Sequence, residues 1–416
     1  MKKHIHALTL AFAFGFMGYA ALKLTPGTFS YPYLWLFAGL AVFALNLFCL
    51  YTRRMVRMLA VNLAILGLGL LVLEAGGIRT EPLTLDQRRT IRYASKDPSI
   101  PAFTGTCKTL GTRPWPNNTV QVTYQIDETV LNLTYTIDAR GLRVTPLARS
   151  RSPEALLFFG GSFMFGEGVN DGDALPHRIG VALRDRVQAY NFAFIGYGTH
   201  QMYAALESGF VFNVVGSRVP TLAVYQAIPD HIRRVLGQRP WTYYDPCYRL
   251  REQPPGSGVR VEPGGGPVVA PLVERLGNFN EQEPVRTLAR RAGDQLRKST
   301  LYRRVAGPWC ERSSDEELAL FVGLVEGSRR RLREHWPNLR FWVLYWDEDS
   351  RESDRQIDAL RRAEIDVYRV SEILPAWRTN RAECVIHPHD EHPNAESHRR
   401  VADYLLHAAG FRKGAP

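Results

Sequence analysis

Three short segments of the chain carry residue types that together could perform acyl transfer. The first is Gly160-Gly161-Ser162-Phe163, which follows a short apolar run at 155–159. A nucleophilic serine needs its oxygen exposed at a strand end, with small neighbours that let a substrate approach the backbone. The second is Asp390-Glu391-His392-Pro393-Asn394. His392 is a candidate general base, and Asp390, two residues away, can fix its tautomer and stabilise the imidazolium. The third is Gly196, before Tyr197-Gly198, whose backbone N–H could face an oxyanion. Each segment alone has a plainer reading. Gly-Gly-Ser is a common loop sequence, and Gly196 suits a turn. The histidine-rich loop His387, His389, His392 could bind a metal ion, although no carboxylate or cysteine partner for one stands out.

The elements that would position these residues alternate between strand and helix. Strands are predicted at 155–159, 189–194, 221–225, 341–346 and 366–370. Helices are predicted at 173–186 with Asp173 as its cap, from about Thr199, over 353–363, and at about 395–408. Such alternation implies a parallel sheet with helices on both faces. Right-handed crossovers make it a three-layer, doubly wound α/β sheet of the flavodoxin-like kind, with ligands at the carboxyl ends of the strands. Upstream, 119–126 and 131–137 alternate apolar and polar residues around Asp127-Glu128 and predict a β-hairpin. Residues 77–117 are polar and rich in Pro and Gly, and read as a linker and irregular cap. The stretch 237–314 holds Pro254-Pro255-Gly256 and Gly264-Gly265-Gly266-Pro267. It reads as an insertion, with a helix near 284–296; a structureless loop this long inside a compact domain is usually functional or mobile, and a lid is one such role.

The three chemical segments in this order, each after an expected strand, resemble the SGNH/GDSL hydrolase superfamily in its membrane-anchored bacterial form. Phe158-Phe159-Gly160-Gly161-Ser162-Phe163-Met164-Phe165-Gly166-Glu167-Gly168-Val169 looks like the first block of that family, with Gly-Gly-Ser in place of Gly-Asp-Ser. Tyr190-Asn191-Phe192-Ala193-Phe194-Ile195-Gly196-Tyr197-Gly198 looks like the second, and His392-Pro393-Asn394 with His398 like the last. Ile137-Asp138-Ala139-Arg140-Gly141-Leu142-Arg143 is similar to a lead-in of membrane-anchored members. The resemblance implies Ser162 as nucleophile, His392 as general base and Asp390 as its orienting acid. It also implies the N–H groups of Ser162 and Gly196 as oxyanion donors. The family pattern of Gly-x-Asn-Asp after the third strand is absent. That stretch reads Tyr225-Gln226-Ala227-Ile228-Pro229-Asp230-His231. Asp230 matches the Asn position best but would need to be protonated to donate, and Gln226 is the alternative donor. The Asp-x-His spacing resembles that of SGNH-type enzymes that acetylate exported polysaccharides.

Composition supplies the setting. The chain has 416 residues, more than one ordinary domain. Three apolar stretches at 5–22, 32–51 and 58–76 are each near the ~20 residues that cross a hydrocarbon core. Lys2, Lys3, Arg53, Arg54 and Arg57 put the N-terminus and the second loop in the cytoplasm. The division is then 1–76 as three transmembrane helices, 77–150 as linker and hairpin cap, and 151–416 as catalytic domain, placed outside a bacterial inner membrane. Formal net charge is +11, yet no Lys/Arg block interleaves with aromatic residues, so nucleic acid is the least favoured partner. Of five cysteines, Cys107, Cys247, Cys310 and Cys384 fall in the polar part, where one or two disulfides and four free thiols are both open. No metal or organic cofactor is implied. The expectation is a periplasmic serine esterase or O-acyltransferase acting on acylated envelope polysaccharide or lipid. The alternatives are a non-catalytic glycan-binding module and a subunit of an envelope export complex.

Overall fold

The computed structural model describes residues 61–62, 88–100, 103–149, 154–237, 245–250, 261–263 and 313–411. Thr84–Ala270 and Ser313–Pro416 form one compact unit. A second unit, Met1–Leu83 with Pro271–Arg312, falls almost wholly outside the described residues, as do the three apolar N-terminal stretches and the helix expected near 284–296. No helix among the described residues is long and apolar enough to cross a membrane.

The stretch expected to be a linker contains strands. β1 (Arg89–Ser95) is followed by the antiparallel pair β2 (Thr104–Cys107) and β3 (Gly111–Pro114), and then by the expected hairpin, β4 (Asn118–Ile126) and β5 (Thr129–Ile137). β1 pairs with β4 along its whole length, from Arg89 opposite Ile126 to Ser95 opposite Val120. Its composition, Arg-Thr-Ile-Arg-Tyr-Ala-Ser, is a weak strand signal, because an edge strand draws its stability from its neighbour rather than from local pattern. In β4 the alternation is complete: Val120, Val122, Tyr124 and Ile126 are buried, and the residues between them are not.

The central sheet begins with β6 (Glu154–Phe159), whose last five residues are all buried, as a strand covered on both faces requires. The short helix α1 (Ser162–Phe165) follows directly. The next helix, α2 (Leu175–Leu183), starts two residues later than expected. Asp173 does not cap it. It ends a 3₁₀ turn, and its carboxylate accepts from Arg178 Nη2 at 2.6 Å. Then come β7 (Gln188–Asn191), α3 (Thr199–Glu207), α4 (Phe210–Val215), β8 (Val219–Ala227) and α5 (His231–Val235). Within the expected insertion, β9 (Tyr248–Leu250) and β10 (Val261–Pro263) form a small antiparallel pair.

Helix α6 (Asp315–His335) is not predicted by periodicity, although its start is marked. Ser314 caps it and accepts from Glu317 N–H, while the Glu317 carboxylate accepts from Ser314 N–H. The remaining elements are β11 (Arg340–Tyr345), α7 (Arg351–Arg362), β12 (Asp366–Arg369), α8 (Val370–Ile373), α9 (Ala376–Thr379), the hairpin β13 (Val385–His387) and β14 (Asp390–Pro393), and α10 (Ala395–Ala408).

β12-β11-β8-β6-β7 form one sheet, and every pairing is parallel. Counted along the chain, its order is 5-4-3-1-2, the flavodoxin-like winding expected. Helix α2 packs on α10, and α6 packs on α3, α5 and α7. The winding reverses between β6 and β8, near whose carboxyl ends Ser162 and Gln226 lie. Cys107, Cys247 and Cys384 are free thiols, and Cys310 lies outside the described residues.

Candidate active site

Ser162 is the first residue of α1, directly beyond β6, where a backbone N–H has no intrahelical acceptor. The turn into it is tight. Gly161 N–H donates to Gln226 Oε1 at 2.9 Å. A Cβ on Gly161 would stand 2.8 Å from the Tyr197 carbonyl oxygen and 2.9 Å from Arg234 Nη1. Glycine at 161, where the resembled family has aspartate, is therefore required by close approach of the backbone after β7 and of an α5 side chain. One residue beyond Ser162, Phe163 packs its ring edge-on against Trp346 and lies 5.2 Å from the His392 ring, centroid to centroid.

Asp390 and His392 sit on β14, not in a loop. Successive residues of a strand point to opposite faces, so positions two apart share one face. His392 Nδ1–H donates to Asp390 Oδ1 at 2.5 Å, and His392 N–H donates to the same oxygen at 3.0 Å. Asp390 Oδ2 accepts from Tyr124 Oη at 2.7 Å and from Arg89 Nη1 at 3.2 Å. Tyr124 and Arg89 belong to the small sheet and are not predicted as site residues; only the inward phase of Tyr124 in its hairpin points towards the interior. Burial alone would raise the Asp390 carboxyl. The His392 ring, the Tyr124 hydroxyl and the His392 N–H instead hold it well below the usual carboxylate range.

The second ring nitrogen of His392 faces another carboxylate. Glu167 Oε2 lies 3.2 Å from His392 Nε2. Carboxylate oxygens accept, so a ring flanked by two of them donates from both nitrogens and is an imidazolium. Burial opposes that charge, but Glu167 and Asp390 outweigh it and push the ring up to about 10. The structure thus joins Asp390 to His392 and brings the β14 hairpin against α1. The His392 Nε2 contact it forms is with Glu167 rather than with Ser162 Oγ. Glu167 lies within the segment 158–169, whose sequence carries no local signal of this role.

The two side-chain donors considered for the oxyanion part company. Asp230 Oδ2 accepts from Arg234 Nε at 3.0 Å, so that oxygen is engaged by a side chain of α5. Gln226 is fully buried, and its Nε2 has no partner. Gly196 has φ 83°, the left-handed value that glycine adopts without strain, and Tyr197 N–H donates to the Phe194 carbonyl across that turn. His398 is buried in α10, and burial brings its ring down to about 3. Among the described residues, no group of three or more His, Cys, Asp or Glu side chains is arranged to hold a metal ion. His387 and His389 sit side by side with ring centroids 5.5 Å apart.

No protein family matches the chain, and no curated protein does. Among solved structures it is similar to an α/β hydrolase from the metagenome of Lake Arreo, Spain. That pair is 14% identical with TM-score 0.34, over 65% of this chain and 99% of that one. It is also similar to an acetyl xylan esterase from the rumen bacterium Butyrivibrio proteoclasticus (11% identical, TM-score 0.34, 72% and 73% covered). An acetylxylan esterase from Geobacillus stearothermophilus is a third (11% identical, TM-score 0.32, 63% and 96% covered). The functional reading rests on the geometry of the site itself.

Proposed function

We propose that this protein is a serine esterase or O-acyltransferase that forms an acyl-enzyme on Ser162. The observation that carries the reading is the Asp390–His392 pair at 2.5 Å, set by β14 against the turn that presents Ser162 at the end of β6. In the cycle, Ser162 Oγ attacks an ester carbonyl carbon and its proton passes to His392 Nε2. The tetrahedral oxyanion is met by the N–H groups of Ser162 and Gly196 and by Gln226 Nε2. That amide nitrogen supports the assignment because a buried donor with no acceptor is costly, and an oxyanion supplies one. Collapse breaks the C–O bond, and the departing alkoxide takes the proton from His392. Water or an acceptor hydroxyl then attacks the acyl-enzyme, gives its proton to His392, and Ser162 leaves with that proton.

The proposal extends to a bacterial inner-membrane anchor through the three N-terminal apolar stretches and a catalytic part outside the cytoplasm. The substrate would be an acylated envelope glycan or lipid. The charge flanking the apolar stretches and the basic balance of the chain support this placement. The engagement of His392 Nε2 by Glu167 favours one second reading, a module that binds glycan without cleaving it.

The test is a fluorophosphonate probe on the full-length protein in detergent, scanned from pH about 6.5, the ordinary imidazole value, to about 10, to which the His392 ring is pushed up. The adduct is located by mass spectrometry. Labelling at Ser162 that vanishes in Ser162→Ala is expected. Folded protein that labels nowhere in that span overturns the acyl-enzyme and leaves the binding module.

A further inference from the structure

A buried carboxylate occupies the ring nitrogen that the proposed cycle needs. Glu167 Oε2 is 3.2 Å from His392 Nε2, and the Glu167 side chain is 5% exposed. It is carried by a loop that starts at the nucleophile: Glu167 N–H donates to the Ser162 carbonyl at 2.9 Å. The loop is fixed from below. Arg143 donates to the carbonyls of Phe165, Gly166 and Val169 at 2.8, 2.5 and 2.7 Å, and Gly168 N–H donates to Tyr135 Oη at 2.8 Å. The Glu167 backbone cannot drift, so the contact opens only by rotation of its side chain.

The charges around the ring explain why it holds its proton. Asp390 and Glu167 contribute two negative charges, and Arg89 contributes one positive charge at 3.2 Å from Asp390. A protonated His392 brings the cluster to neutrality, and a buried cluster left with net charge is strongly disfavoured. The other titratable groups facing it are the hydroxyls of Tyr93 and Tyr124 on β1 and β4 and of Tyr135 on β5, with His398 from α10. Each tyrosine is held in its neutral form by burial, and His398 likewise, so none of them balances Glu167.

We propose that Glu167 is a positioning residue that withholds the base: in the resting site it keeps His392 Nε2 as a donor to its own carboxylate, and Ser162 is activated only when that contact opens and the ring releases its proton to solvent. This rests on the acyl-enzyme reading of Ser162 and adds a resting state to it. Glu167 acts through the His392 ring, whose Nε2 it holds.

The experiment pairs two readouts on the full-length protein, wild type and Glu167→Gln: the titration of His392 followed by NMR with ring-labelled histidine, and the rate of fluorophosphonate labelling against pH. In Glu167→Gln the His392 titration moves down, and labelling at neutral pH rises at least tenfold, since a ring that binds its proton ten times more weakly is neutral ten times more often. Glu167→Asp, which keeps the charge, retains the wild-type profile more nearly. A His392 titration that is the same in wild type and Glu167→Gln overturns the proposal. So does a wild type that already labels at its full rate at neutral pH, a result that needs no variant to fold. A titration that moves while no form labels at any pH overturns the acyl-enzyme reading and the gating step with it, and leaves only the ion pair.

Discussion

Tyr124 Oη donates to Asp390 Oδ2 at 2.7 Å and joins two residues that are 266 positions apart. With Arg89 Nη1 on the same oxygen and the His392 ring and backbone N–H on the other, each oxygen of Asp390 receives two donors. A carboxylate bound in this way cannot turn about its own axis, and the imidazole it holds keeps one orientation. The small sheet therefore reaches into the centre of the candidate site.

Tyr124→Phe removes one hydrogen bond to an ionised, buried carboxylate, an interaction worth roughly 1.5–3 kcal/mol. Labelling of Ser162 is expected to slow about tenfold or more. Arg89→Met should slow it less, and the double variant should fall short of the product of the two effects, because both donors act on one oxygen. Rates that multiply would show that the two residues do not share Asp390. Denaturation midpoints of the same variants separate loss of positioning from loss of fold.

Gly161→Asp is expected to harm the protein. Its Cβ would meet the Tyr197 carbonyl at 2.8 Å and Arg234 Nη1 at 2.9 Å. Overpacking of this kind costs about 1–3 kcal/mol, and the turn that presents Ser162 would have to shift. A lower melting temperature and slower labelling are the expected results. Unchanged melting and faster labelling would mean that the α5 side chain yields freely.

Stability should depend on pH through His392. Its folded value, pushed up to about 10, lies above that of a free imidazole near 6.5. The folded ring therefore keeps a proton that the unfolded ring gives up. The stability this supplies is fully present below pH about 6.5 and is lost as pH rises towards about 10. Denaturant midpoints should fall across that window in the wild type, and fall less in Glu167→Gln. Parallel curves for the two proteins would contradict the assignment.

Much of the central sheet is legible because buried parallel strands advertise themselves. The run Ala155-Leu156-Leu157-Phe158-Phe159 is apolar on both faces and cannot be a half-exposed strand. The contact of Asp390 with His392 is legible because two residues of that spacing can meet without any long-range arrangement; that they share one face of a strand, where a loop is expected, is not. Tyr124, Arg89 and Glu167 are not, because each acquires its role from a partner far along the chain or from a loop conformation. β1 is missed for the same reason: Arg89-Thr90-Ile91-Arg92 becomes a strand only because β4 offers it a ladder. The helix α6 is readable in the Ser314-to-Glu317 capping box, but the Pro- and Gly-rich sequence before it hides that signal.

Arg143 gives the molecule a limit on how it can be cut. Its backbone bridges Ile137 of β5 and Asn191 of β7, and its buried guanidinium is bound to three carbonyls of the loop after Ser162 and to Asp171. A fragment that began at residue 151 would leave those three carbonyls without their donor, at about 1–3 kcal/mol for each that stays buried. Asp390 would lose its hold on Tyr124 and Arg89 as well. The hairpin region is thus no detachable accessory. A piece of this chain that keeps these contacts starts upstream of Arg89, and grafting the α/β sheet onto another leader would transplant a site without the donors that hold Asp390.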